Sequence, residues 1–149
     1  MRYHTSTNEL ICASGGKARL FGHSYVGTVH LLLALLEQPG ETGLLLRTMG
    51  AEPALADTLA QLIYGSGTPN LPLPQGLTAK ARELLRLSAR EARQRMSREI
   101  LPIHVLLALA REEHTGAESL LQMFGISRDA LFTQTVDWLR REENAPAKG

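Results

Sequence analysis

Two histidines head near-copies of one another: His30 in "VGTVHLLLALL", residues 26 to 36, and His104 in "ILPIHVLLALA", residues 100 to 110. An imidazole can ligate a metal, act as a base near neutral pH, or serve uncharged as a hydrogen-bonding strut. Ligation needs companions. HExxH is missing, none of His23, His30, His104 and His114 has another histidine four positions away, and Cys12 is the one cysteine, so no metal site and no cofactor are expected. Base catalysis needs a nucleophile, yet no serine sits in a GxSxG elbow and no histidine is spaced to serve Cys12 on its own helix. A small hydrolase is therefore a weak alternative, and no catalytic residue is assigned. The strut reading has duplication behind it, because a packing device is needed in each copy whereas a catalytic centre is needed once. On that reading both rings sit in the first turn of a buried helix, bonded to nearby backbone and kept neutral because a helix N-terminus disfavours a cation.

The other chemistries are excluded locally. No GxxxxGK[ST] or GxGxxG is present, so the chain itself is not expected to bind ATP. Arg82, Arg86, Arg90 and Arg93 make a basic stripe, but Glu83, Glu91 and Glu99 interleave with it and Glu91 is spaced to pair with Arg95. Sixteen basic against fifteen acidic residues leave a net charge of +1. A solvated face is thus favoured over a helical nucleic-acid binder, and no nucleic-acid partner is expected. The uninterrupted apolar run from Leu31 to Leu36, which no other run exceeds, is too short to cross a bilayer. One cysteine and an N-terminus without an apolar signal core point to the reducing cytoplasm, with no membrane partner.

The elements that carry these residues are duplicated. His104 stands 74 positions after His30, and the same offset lays Glu9 on Glu83, Leu10 on Leu84, Ser14 on Ser88, and Ala18-Arg19 on Ala92-Arg93. After one inserted residue, Leu45, Leu46 and Gly50 fall on Leu120, Leu121 and Gly125. Ala81, Leu84, Leu85, Ser88 and Ala92 form a helical stripe behind Thr78 as N-cap, matched by Thr7, Leu10, Ile11, Ser14 and Ala18 in the first copy. That register puts Cys12 on the solvent side. Breaks at Pro39-Gly40, Gly50 with Pro53, His114 to Gly116, and Gly125 cut each copy into four helices. Strand signals are absent, so the expected class is all-α with eight helices. The segment "YGSGTPNLPLPQGL" reads as the connector. The chain divides into repeat one 3–63, linker 64–77, repeat two 78–142 and tail 143–149, all in one domain, 1–149. Gly15-Gly16, inside the first helix, predicts a weak or kinked turn on its exposed side, with a hinge as the lesser reading.

The stretches "GHSYVGTVHLLLALL", "IHVLLALA", "LLRTMG" and "LLQMFG" resemble the Clp N-terminal repeat, the recruiting domain of Clp-type AAA+ unfoldases. The likeness runs from about Tyr3 to Leu139 and is ClpC-like with ClpB-like features. It implies two four-helix repeats about a pseudo-twofold axis, without catalytic activity. It implies capture of protein substrates or adaptor proteins for an AAA+ ring, often coupled to a ClpP-type protease. A free-standing adaptor or regulator is the alternative. Where the ClpC branch reads G-T-E-H at the second helix of each repeat, this chain reads Gly27-Thr28-Val29-His30 and Leu101-Pro102-Ile103-His104. In that branch the two glutamates, with threonines that open each repeat, hold phosphoarginine. Here Thr78 matches one threonine, His4 replaces the other, and both glutamates are apolar. The resemblance implies a binding surface around Tyr3, His4, Val29, Leu77, Thr78 and Ile103.

Overall fold

Helix starts are written into the residues that precede them. His4 accepts a hydrogen bond from the Ser6 amide and Thr78 from the Ala81 amide, each at 3.1 Å, so a side-chain acceptor satisfies an orphan donor at both equivalent places. These caps open α1 (Thr5–Leu20) and α5 (Ala79–Gln94) in a computed structural model that describes residues 1–67 and 76–143. Repeat one continues with α2 (Thr28–Glu37), α3 (Glu41–Thr48) and α4 (Pro53–Tyr64). Repeat two continues with α6 (Pro102–Arg111), α7 (Gly116–Met123) and α8 (Arg128–Glu143). The fold is all-α, with eight helices among the described residues and breaks where the glycines and prolines place them.

The core forms around α2 and α6. Every residue from Thr28 to Leu36 and from Pro102 to Ala110 is buried, the signature of a helix covered on all sides. The flanking first helices are amphipathic and bury only a stripe, Thr7, Leu10, Ser14 and Ala18 on α1 and Ala81, Leu84, Leu85, Ser88, Glu91 and Ala92 on α5. Ile11 is half-buried, and Cys12 is exposed as its register requires. α1 runs unbroken through Gly15-Gly16, where an added Cβ would meet nothing within 4 Å at either position. No close packing explains that pair.

Two departures from the sequence reading have physical reasons. The expected absence of strands is wrong at small scale: β1 (Arg2–Tyr3) pairs in parallel with β2 (Glu99–Ile100), setting Tyr3 against Ile100. A single parallel bridge joins Val26 to Leu77. These are one contact made twice, since Tyr3 and Leu77, and likewise Val26 and Ile100, are 74 positions apart. Each repeat's leading segment therefore pairs with the other repeat, and pairs this short carry no alternation to read. Second, Gly22 (φ 72°) and Met96 (φ 57°) are equivalents with the same left-handed backbone. Glycine adopts it without strain, whereas Met96, 91% exposed, does so against its Cβ.

Among the described residues no helix is long and apolar enough to cross a membrane. The prolines of the expected linker, Pro69, Pro72 and Pro74, and residues 144–149 of the expected tail lie outside the described residues.

Candidate functional site

The paired histidines act as helix-start struts. Each is the third residue of its helix. His30 Nδ1 accepts the Gly27 amide and His104 Nδ1 the Leu101 amide, both at 2.9 Å. At 4% and 2% exposure both rings are buried, and both pKa values are pushed down to about 4. Burial is the main cause, ahead of a nearby charge, His23 for one ring and Arg95 for the other. The helix N-terminus is therefore not the leading reason for neutrality.

His30 has a partner that linear spacing hid. Because its Nδ1 accepts, its Nε2 carries the proton, which it donates to His23 Nδ1 at 2.7 Å. His23 is then left with Nε2–H, directed at the Gly65 carbonyl 2.7 Å away. The relay ties the α1–α2 loop to the chain leaving α4. Among the described residues no three His, Cys, Asp or Glu side chains gather where they could hold a metal.

The helix starts converge on two clefts, and the duplication relates them. The larger, about 500 Å³, lies between the start of α2 (Gly27, Val29) and the start of α5 (Thr78, Lys80), with Tyr64 of α4 and Gly116 of α7 across it. The smaller, about 200 Å³, lies between the start of α6 (Leu101, Ile103) and α1 (Ser6), with Glu41 of α3 and Trp138 of α8 across it. Each cleft thus joins the second helix of one repeat to the first helix of the other. Cross-repeat bonds brace the larger one: Thr28 Oγ1 accepts the Ala117 amide at 3.2 Å, and the Tyr64 hydroxyl donates to the Gly116 carbonyl at 3.1 Å.

Of the six residues singled out from the sequence, the larger cleft brings Val29 and Thr78 together, while Ile103 lines the smaller one. Val29 and Ile103 are 6% and 4% exposed and belong to the core, so each offers a cleft floor rather than a projecting group. Tyr3 pairs with Ile100 and Leu77 with Val26, and His4 caps α1. Tyr25, Tyr64, Lys80 and Trp138 were missed. The repeat offset brings Trp138 over Ile63, beside Tyr64, which was the available signal. The larger cleft therefore presents an apolar floor, two tyrosines 48% and 41% exposed, and one exposed lysine.

The arginine stripe is exposed at Arg82, Arg86, Arg90 and Arg93, with Arg86 forked onto Glu83 at 2.9 and 2.5 Å. Glu91 departs from the expected solvated face. It is 5% exposed and pairs closely with Arg111, whereas Arg95, its expected partner, stands at 4.0 Å.

The family model for the Clp repeat N-terminal domain matches this chain twice, over residues 2–75 and 76–148. The chain is similar to the chloroplastic chaperone protein ClpC1 of Oryza sativa subsp. japonica, 30% identical over 149 residues, covering 99% of this chain and 16% of that protein. It is also similar to chloroplastic ClpC1 of Arabidopsis thaliana, 31% identical over 136 residues, covering 91% and 15%. This chain thus spans about a sixth of the length of those relatives. Among solved structures, the N-terminal domain of the caseinolytic protease associated chaperone ClpD from Arabidopsis thaliana superposes with a TM-score of 0.78 at 20% identity, covering 93% of this chain and 97% of that one. The Hsp104 N-terminal domain from Candida albicans does so with a TM-score of 0.73 at 17% identity, covering 93% and 92%.

Proposed function

Because the chain belongs to the Clp repeat N-terminal domain family, we propose that it is a non-catalytic recruiting module, which captures protein substrates or adaptor proteins for a Clp-type ATPase ring. Delivery into a ClpP-type protease is part of the same reading. The observation that carries it is the pair of equivalent clefts where helix starts of opposite repeats meet. Such a site has an apolar floor, aromatic walls and few polar groups, the composition of a surface that holds apolar segments of other proteins. The residues proposed to take part are Val29 and Thr78 in one cleft and Ile103 in the other. Tyr3, His4 and Leu77 hold the helix starts that frame them.

The glutamates that would fork onto a guanidinium are replaced by Val29 and Ile103, which accept no hydrogen bond. This favours apolar segments over phosphoarginine-marked ones. A reducing cytoplasm is the compartment that the lone thiol supports. The test is a chimera: this chain is joined in place of the N-terminal domain of rice ClpC1, and ATP-dependent turnover of an unfolded protein is followed with the partner protease. Turnover above that of the ring lacking any N-terminal domain is expected. Turnover no better than that ring would count against recruitment.

A further inference from the structure

Residues 74 or 75 positions apart occupy the same place in the two repeats, and at one such place the charges are reversed. In repeat one Lys17 of α1 reaches Glu37 of α2 at 2.5 Å and Asp57 of α4 at 2.7 Å, with its ammonium 5.9 Å from the centre of the Phe21 ring. In repeat two the counterpart of Lys17 is Glu91 on α5, and that of Glu37 is Arg111 on α6. These two are ion-paired, with Arg95 4.0 Å from the carboxylate in the place of Phe21. Phe132 stands in the place of Asp57, with the Arg111 guanidinium 4.8 Å over its ring. A half-buried cation among carboxylates in one half is a buried carboxylate among guanidinium groups in the other.

The apolar faces around these pairs share an identical centre and differ at their margins, where Thr7 and Ile11 correspond to Ala81 and Leu85, and Leu31 and Leu36 to Val105 and Ala110. Leu10, Ser14 and Ala18 of α1 are matched by identical residues on α5, and Leu32 through Leu35 of α2 by identical residues on α6, all of them buried. The shared centre of each face lets α1 fit α6 nearly as it fits α2, and α5 fit α2 nearly as it fits α6. These alternative partners are already neighbours in the fold, and a second copy of the chain offers the same faces. Exchange would set Lys17 against Arg111 and Glu91 against Glu37. The side chains of Lys17 and Glu91 are 13% and 7% exposed, whereas those of Glu37 and Arg111 are 43% and 48% exposed, so solvent screens such like-charge contacts in part and the penalty comes mainly from the sheltered partner in each. We propose that the reversed ion pairs are a polarity key: they fix which first helix packs on which second helix, and so keep the duplicated halves from exchanging partners between copies of the chain.

The test compares three proteins that share Asp57→Asn and Arg95→Gln, which remove the satellite charges. The first has no other change. The second adds Glu91→Lys with Arg111→Glu, giving both repeats the same sense while every native pair stays attractive. The third adds Lys17→Glu with Glu37→Lys to the second, restoring opposite senses in mirror image. Each is refolded from urea at high protein concentration, and the dimer fraction is read by size-exclusion chromatography with light scattering. The same-sense protein is expected to give at least roughly tenfold more dimer than the other two, a discrimination of about 1.4 kcal/mol. Equal dimer fractions in all three would overturn the key. So would failure of the mirror-image protein to refold as well as the first, because the damage would then follow the substitutions and not the sense.

Discussion

Replacing His104 by Asn isolates one titrating group without removing the bond it makes. An Asn carbonyl oxygen can accept the Leu101 amide as Nδ1 does at 2.9 Å, but it takes no proton. In the folded chain burial, aided by Arg95, holds the His104 pKa down at about 4, while in the unfolded chain it returns to about 6.5. Between those values the unfolded state binds more protons, so stability is full above the unfolded pKa and is lost as pH falls toward the folded one. The whole shift corresponds to about 3 kcal/mol, and moving from pH 7.5 to 5.0 removes roughly 2 kcal/mol of it. Urea unfolding of the natural chain and of His104→Asn, at both pH values and one salt concentration, reads the difference. The variant is expected to lose about 2 kcal/mol less on acidification, whatever its stability at pH 7.5. An identical pH dependence in the two proteins would refute the buried neutral ring.

Three further outcomes follow from the duplication. Gly15→Ala with Gly16→Ala should raise stability by about 1 kcal/mol per site, because the helix is continuous there and the new methyl groups meet open space; amide exchange should slow around those positions, and an unchanged urea midpoint would contradict this. Met96→Gly should stabilise by about 0.5 to 1 kcal/mol, since it relieves a left-handed backbone that Gly22 adopts freely in the other repeat; a lower thermal midpoint would count against it. Free phosphoarginine should bind the natural chain weakly, and Val29→Glu with Ile103→Glu should gain at least roughly tenfold in affinity by calorimetry, at a cost in stability because both positions lie in the core. Tight binding by the natural chain would defeat the ligand preference.

Most of the fold was legible because it is written twice. The offset that aligns His30 with His104 also aligned the stripes of α1 and α5 and the glycines that close α3 and α7. What escaped were contacts between segments far apart in the chain or too short for a period. Tyr3 pairs with Ile100, and Leu77 with Val26, through one or two residues each. His23 meets His30 across a loop rather than along a helix. Glu91 looked solvated because Arg95 lies one turn away, yet its close partner Arg111 comes from the next helix. The equivalent pair Lys17 and Glu37 carried the same offset and was the missed clue. The clefts were the least legible feature, being assembled from helix ends of opposite repeats, so that only Val29, Thr78 and Ile103 of the six expected residues line them.

Recruitment through the larger cleft can be tested by filling it. Ala79 lines that cleft from the first turn of α5 and is exposed, so Ala79→Trp adds bulk there without disturbing the core. A fluorescently labelled, permanently unfolded protein, reduced carboxymethylated α-lactalbumin, is titrated with the natural chain and with the variant, and binding is read by anisotropy. Saturable binding by the natural chain, weakened at least roughly tenfold in a variant with unchanged helical circular dichroism, is the expected result. Equal affinity for the two proteins, or no binding by the natural chain, would contradict it.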